Sequence, residues 1–160
     1  MKHVKNIAGM VLVGLFMEFG VKAVQTAAIT TWVSGVEGGL TLDAWAKQWS
    51  AWATYAILAG LGTFLFWYVA GQYILQPDFS GTSSKRPVWI LFIVGPVIIA
   101  EIGVILLPAA QSFEWMAYAF LFFNAVFSYW LASAMFSPSL VKTAPIGYEW
   151  PRRLSDGLPL

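Results

Sequence analysis

Three charged residues lie within otherwise apolar stretches of this sequence and are its candidates for chemistry: Glu18, Lys22 and Glu101. A charge at the centre of a membrane helix costs about 2.5–3.5 kcal/mol on insertion scales, so such residues need partners. Glu18 and Lys22 are four residues apart, in the Glu-before-Lys order that favours an ion pair on one helix face. These residue types predict either a proton or ion path or a buried ion pair that fixes helix packing, and we favour the second.

Counting residues along the predicted helices indicates which of these side chains meet. At about 1.5 Å per residue, Lys22 and Glu101 lie about 22 Å and 20 Å from the membrane entry of their helices on one side. We therefore expect Lys22 to lie between the carboxylates of Glu18 and Glu101. Gln25 continues the polar face of the first helix, and Asn124 reaches about mid-depth from the fourth. Together the five residues form the predicted buried polar cluster.

Glu18 stands in the segment 16–20, Phe-Met-Glu-Phe-Gly, of the first of four predicted helices. This placement resembles that of the key glutamate of small multidrug resistance transporters, and the resemblance implies a transport role for Glu18. It covers this placement only. The chain is longer, with an extended first loop and a proline-rich tail, and Lys22 would compete with a cationic substrate.

The composition indicates that lipid, rather than water, surrounds most of the chain. Of the 160 residues, 59% are hydrophobic and 11% are charged, against about 25% charged in ordinary soluble domains. The net charge of +1 provides no basic field for nucleic acid. Cysteine is absent and His3 is the single histidine, which excludes disulfides, iron–sulfur clusters and a bis-histidine haem. We expect no cofactor, no metal site and no enzymatic activity.

Four apolar stretches are long enough to cross a bilayer core of about 30 Å, which needs about 20 helical residues. They run over about 7–33, 50–75, 87–108 and 114–136. We interpret the first as a retained helix rather than a signal peptide, because Glu18 precedes any small-residue cleavage site. The sequence predicts an all-α polytopic membrane protein, with a four-helix domain over 1–136 and a tail over 137–160.

Lysines and arginines concentrate on one side of the predicted bundle and so indicate its orientation. That side carries Lys2, Lys5, Lys85, Arg86, Lys142, Arg152 and Arg153. The opposite side carries Lys47 among its acids. We therefore expect both termini in the cytoplasm and the chain in the inner membrane.

The first loop leads into a stripe of aromatic residues. Thr41 or Asp43 is expected to cap a helix that continues into the second span. Trp45, Trp49 and Trp52 then share one helix face by their spacing. Indoles favour the membrane interface, so we interpret this stripe as an interfacial anchor. The alternative is a surface that docks a partner or binds a ligand.

Two features bear on how the predicted helices pack. Pro96, next to Gly95, removes a backbone donor and leaves the carbonyl of Phe92 without its usual partner, which predicts a kink. Ala56 and Gly60 in the second span are small enough to let another helix approach closely.

The tail from residue 137 is punctuated by prolines and shows no helical or strand period. We expect it to be irregular, and to be held by Trp150, Arg152 and Arg153 at anionic headgroups or an acidic partner.

Two functions are compatible with these observations. The first is a non-enzymatic membrane subunit of a larger inner-membrane complex, with other subunits or copies of itself as partners. The alternative is an oligomeric small transporter or channel that uses Glu18, Lys22 and Glu101.

Overall fold

The computed structural model describes residues 2–75, 85–111, 114–138 and 141–157. Four helical spans in this part of the chain are long and apolar enough to cross a membrane, as predicted. Spans one to four are His3–Trp32, Leu42–Ile74, Arg86–Leu106 and Glu114–Phe136. The described part of the chain is therefore all-helical in class, apart from one pair of two-residue strands.

The spans are built from six α-helices and two π-helical segments. Span one contains α1 (Lys2–Leu15), a π-helical segment (Phe16–Val21) and α2 (Lys22–Trp32). Span two contains α3 (Leu42–Val69) and a second π-helical segment (Ala70–Ile74). Span three contains α4 (Arg86–Phe92) and α5 (Val94–Leu106), span four is α6 (Glu114–Phe136), and α7 (Glu149–Asp156) follows in the tail.

Span two begins at Leu42 rather than near Ser50, because the loop supplies a helix cap. Thr41 is the N-cap, and its Oγ1 accepts a hydrogen bond from the backbone N–H of Ala44 at 3.2 Å. Such a cap satisfies one of the four free N–H groups of a helix start. The residues between Leu42 and Ser50 therefore belong to the helix of span two.

Span three breaks at Ile93, three residues before Pro96. Since proline has no N–H, the usual bond to the carbonyl of Phe92 cannot form. Just before this point, the Ile93 N–H bonds the carbonyl of Ile90 at 3.0 Å, a tighter i→i−3 turn. The helix is thus interrupted near Pro96, and the interruption divides the span into α4 and α5.

Spans two and four form the central contact of the bundle. A Cβ added at Gly60 would lie 2.5 Å from the carbonyl oxygen of Ala125 and 2.9 Å from the Cβ of Ser128, so the two helices approach closely there. Spans one and three each pack on this central pair and have no extended contact with each other.

A short β pairing joins the two loops at the end of the bundle opposite His3. Strand β1 (Gly35–Val36) pairs antiparallel with β2 (Ala110–Gln111). A 3₁₀ turn (Glu37–Gly39) follows β1, and its Gly38 and Gly39 have φ of 79° and 76°, which favour glycine. These contacts fix the loop that leads to Thr41.

The tail corrects the prediction of an irregular segment, because α7 forms within it. Pro151 lies in the first turn of α7, where a missing N–H removes no helical hydrogen bond. The Ser155 hydroxyl donates to the carbonyl of Met135 at 3.0 Å, and Arg152 Nη1 donates to the carbonyl of Ser137 at 3.0 Å. The helix is therefore docked on the end of span four. Residues 139–140 and 158–160 of the predicted tail lie outside the described residues.

Candidate functional site

The Glu18–Lys22 pair is the charged centre of the bundle. Glu18 lies in the π-helical segment of span one, and Lys22 is the first residue of α2. The ammonium group of Lys22 forms an ion pair with the Glu18 carboxylate. The side chain of Lys22 is 15% exposed and that of Glu18 is 27% exposed, so the pair is largely buried within the bundle.

Thr54 of span two completes this site. Lys22 Nζ lies 2.8 Å from Thr54 Oγ1, and that hydroxyl lies 3.1 Å and 3.2 Å from the two carboxylate oxygens of Glu18. The same hydroxyl is 3.2 Å from the carbonyl of Ser50, one turn earlier. The site therefore joins spans one and two through a neutralised ion pair and a hydroxyl.

The π-helical segment changes the spacing of the backbone at Glu18. The N–H of Lys22 bonds the carbonyl of Met17, five residues earlier, as in a π-helix. Such segments are rare and frequent at functional sites. Here the wider turn carries the carboxylate that Lys22 and Thr54 bind.

A lateral groove of about 460 Å³ lies between spans one and two and reaches the charged site. Its walls are apolar, and include Met10, Gly14 and Leu61, while Glu18 and Thr54 line it as polar residues. One side of the carboxylate thus borders an apolar space that a hydrocarbon chain could occupy.

Gln25 and Asn124 form a second, separate polar contact. Asn124 Nδ2 donates to Gln25 Oε1 at 2.9 Å, and both residues are buried between spans one and four. Within the described residues Asn124 Oδ1 has no hydrogen-bond partner. The five-residue cluster expected from the sequence is therefore not one cluster: Glu18 and Lys22 face span two, and Gln25 faces span four.

Glu101 corrects the prediction that Lys22 lies between two carboxylates. It is exposed on the outer face of α5, and among the described residues it forms no ion pair or hydrogen bond. The counting of depths placed Glu101 and Lys22 at one level but could not show which helices are neighbours. Because spans two and four approach closely through Gly60, spans one and three are held apart.

Sequence reasoning missed Thr54, although a signal for it exists. With a span starting near Ser50, Thr54 would lie close to the membrane surface. From the observed start at Leu42 it is about 18 Å along the helix, at the usual rise per residue, which brings it level with Lys22. The Thr41 cap was therefore the signal, because it sets the start of the helix and with it the depth of Thr54.

The tryptophans of span two also correct a prediction, since Trp45 and Trp49 are fully buried rather than interfacial. Trp45 Nε1 donates to the carbonyl of Pro108 at 2.8 Å, and Trp49 Nε1 donates to that of Ala117 at 3.0 Å. A satisfied N–H removes the main cost of burying an indole. Trp52 is partly buried and contacts the ring of Tyr55 edge to face.

Of the three tail residues predicted to hold the tail in place, one contacts the bundle and two are exposed. Arg152 contacts the bundle through Ser137. Trp150 is 66% exposed and Arg153 is exposed, so neither of them holds the tail to the bundle. Contact of these two side chains with headgroups stays a prediction.

This arrangement offers charge pairing and hydrogen bonding. In the described ranges there is no group of three His, Asp or Glu residues that could hold a metal ion. No protein-family model matches the chain, and comparisons with curated proteins and with solved structures also find no match.

Proposed function

We propose that this chain is a non-enzymatic subunit of a larger membrane complex, and that the outer face of span three contacts another membrane chain. The proposal depends on Glu101, whose carboxylate lies on the outer face of an apolar helix. This carboxylate has no partner among the described residues. It lies about 7–8 Å from the end of α5 at Leu106, counted at the usual helical rise. A lone carboxylate at such a depth would be unfavourable in hydrocarbon.

The neighbours of Glu101 on this face are apolar and exposed. Val94, Ile98 and Ile105 are 52%, 50% and 74% exposed, and their spacing of three and four residues aligns them with Glu101. We call Val94, Ile98, Glu101 and Ile105 the span-three face. Alternating spacings of three and four are those of a helix seam that packs on another helix, and a polar residue in such a seam specifies its partner.

The charge of Glu101 favours a partner that differs from this chain. Lys22 is the only lysine or arginine within the apolar part of the spans, and it binds Glu18 on the far side of the bundle. A second copy packed through the same face would bring two carboxylates together, and like charges repel. We therefore infer a partner helix that presents a lysine, an arginine or neutral hydrogen-bond donors.

We also infer that both termini are cytoplasmic and that the membrane is the inner membrane. In support, His3 and Arg152 line one cavity at one end of the bundle. The lysine and arginine distribution of the loops supports the cytoplasmic side for that end.

Site-directed crosslinking tests the subunit proposal, because the chain has no cysteine of its own. The full chain carries Ile105→Cys on the span-three face, or Leu65→Cys beside the groove of spans one and two as the matched control. We expect Ile105→Cys to crosslink to a membrane helix of another chain that contains a basic or hydrogen-bonding residue near the crosslink. Leu65→Cys should give no such product.

A charge variant then tests the role of Glu101. Glu101→Leu should lower the recovery of the crosslinked partner by at least about tenfold, since about 1.4 kcal/mol of lost binding is a factor of ten. Glu37→Leu, a carboxylate removed from a loop, should leave recovery unchanged. Crosslinks only between copies of this chain, or none from Ile105→Cys, would overturn the proposed partner.

The transporter alternative has one observation in its favour, the groove beside Glu18. It has less support, because Lys22 already neutralises Glu18 and because Glu101 lies on another side of the bundle. Proton-coupled flux in reconstituted vesicles that Glu18→Gln abolishes would favour it over the subunit.

A further inference from the structure

We propose that the end of the bundle near His3 and α7 binds one anionic glycerophospholipid. Its phosphate lies among Lys5, Arg152 and His3, and one acyl chain lies in the groove between spans one and four. This proposal is independent of the partner on the span-three face, because the two sites share no residue.

The headgroup site is a polar cavity of about 380 Å³. Its basic lining residues are His3, Lys5 and Arg152, and Asp156 is its single acid among the described residues. With His3 neutral, the lining carries one net positive charge from these groups. An anionic headgroup therefore fits it better than a zwitterionic one.

Hydrogen-bonding groups in this cavity are already held in place. The Tyr68 hydroxyl lies 2.6 Å from His3 Nδ1 and 3.3 Å from Asn6 Nδ2. Arg152 Nη1 donates to the carbonyl of Ser137, which orients the guanidinium and leaves its other N–H groups for a phosphate. The cavity thus offers several donors from spans one and two and from α7.

An apolar groove of about 310 Å³ adjoins this cavity. Met135 and Phe136 line both spaces, so the polar and apolar parts are contiguous. The groove runs along span one past Gly9, Leu12 and Phe16. Its direction, from the polar end towards the bilayer interior, is that of a lipid acyl chain.

Helix α7 presents a basic side chain to the polar cavity and apolar side chains to the apolar groove. Arg152 lines the polar cavity, while Trp150 and Leu154 line the apolar groove and are 66% and 50% exposed. A short helix with a basic side and an aromatic and aliphatic side is typical of the membrane interface. Free phosphate would use only the cavity, whereas an anionic lipid satisfies both sides.

Lipid binding to the full chain in mild detergent tests the proposal, by native mass spectrometry and by the thermal unfolding midpoint. The probes are dioleoyl phosphatidylglycerol, dioleoyl phosphatidylcholine, inorganic phosphate and oleate. We expect phosphatidylglycerol to be retained and to raise the midpoint more than each other probe. Lys5→Gln should weaken its retention by about fivefold, the effect of one cation near an anionic surface.

Two matched pairs of variants locate the site. Arg152→Gln should weaken retention, whereas Arg153→Gln, which removes the same charge outside the cavity, should not. Leu12→Trp should narrow the groove and weaken retention, whereas Val69→Trp on another exposed face should not. Lys5 forms no hydrogen bond or ion pair within the described residues, so Lys5→Gln gives a reading even if Arg152→Gln fails to fold.

Each of the other outcomes overturns the proposal. Equal retention of phosphatidylglycerol and phosphatidylcholine would remove the charge argument. Displacement of the lipid by inorganic phosphate, or no effect of Leu12→Trp, would leave only an anion site. Equal effects of Lys5→Gln and Arg153→Gln would mean that the cavity is not where the headgroup binds.

Discussion

At the scale of single residues, buried polar side chains join each span to its neighbours. Lys22 and Thr54 hold Glu18 between spans one and two, and Gln25 and Asn124 join spans one and four. In a low-dielectric interior an unpaired polar group is costly, so each group of a pair depends on its partner. We therefore expect these contacts to fix the register of the helices more than they add stability.

The Glu18–Lys22 pair gives a direct test of this view. Lys22→Met leaves the Glu18 carboxylate without its cation, so it should lower the free energy of unfolding by about 3 kcal/mol, as for buried pairs that lose one partner. Glu18→Met together with Lys22→Met should recover most of that loss, because no lone charge remains. Reversible unfolding in mixed micelles measures each value.

Asp43 and Lys47 supply the matched control for that test. They have the same i,i+4 spacing in span two, with the Lys47 Nζ 2.9 Å from Asp43 Oδ2, but their side chains are 80% and 78% exposed. Lys47→Met should change the free energy of unfolding by less than about 1 kcal/mol. If Lys22→Met costs no more than Lys47→Met, then burial does not strengthen the inner pair.

At the scale of helices, the contact between spans two and four sets the arrangement of the whole bundle. Small residues on both helices, among them Ala56, Gly60 and Ala125, are buried at this contact. Without a hydrophobic driving force between helices in lipid, such close packing is a main source of association. The other two spans then pack on the surfaces that this pair leaves.

Alanine substitutions at two glycines of span two distinguish the effect of close packing from that of helix propensity. Gly60→Ala should destabilise the bundle by about 1–3 kcal/mol, as overpacking does, because its Cβ would meet the Ala125 carbonyl at 2.5 Å. Gly62→Ala meets nothing within 4 Å and should be neutral or stabilising by up to about 1 kcal/mol, since alanine favours helix. Unfolding in mixed micelles distinguishes them, and equal effects would contradict a close contact at Gly60.

Hydropathy and helix-breaking residues were sufficient to predict the four helical spans and a disturbance of span three near Pro96. They could not predict which helices are neighbours, because depth along a span carries no information about rotation around the bundle. Glu101 was placed with Lys22 for this reason. Trp45 and Trp49 were placed at the interface because indole preference is an average, whereas their N–H groups find carbonyl acceptors inside this bundle.

At the scale of the molecule, the two ends of the bundle differ in charge and in construction. The end with His3 carries most of the basic residues, the polar cavity and the docked helix α7. The other end carries the β pairing and the acids Glu37, Asp43 and Glu114. Because basic residues are retained on the cytoplasmic side during insertion, this asymmetry predicts one orientation.

Single cysteines in the cysteine-free chain test that orientation. Lys142→Cys and Glu37→Cys lie at opposite ends of the bundle, and both native residues are exposed. In intact cells a membrane-impermeant maleimide should label Glu37→Cys at once and Lys142→Cys only after permeabilisation. The reverse pattern would invert the orientation, and labelling of both in intact cells would contradict a fixed topology. Lys47→Cys, at the end with Glu37, should follow Glu37→Cys whichever orientation holds, so a different result for it would contradict the placement of these two residues at one end of the bundle.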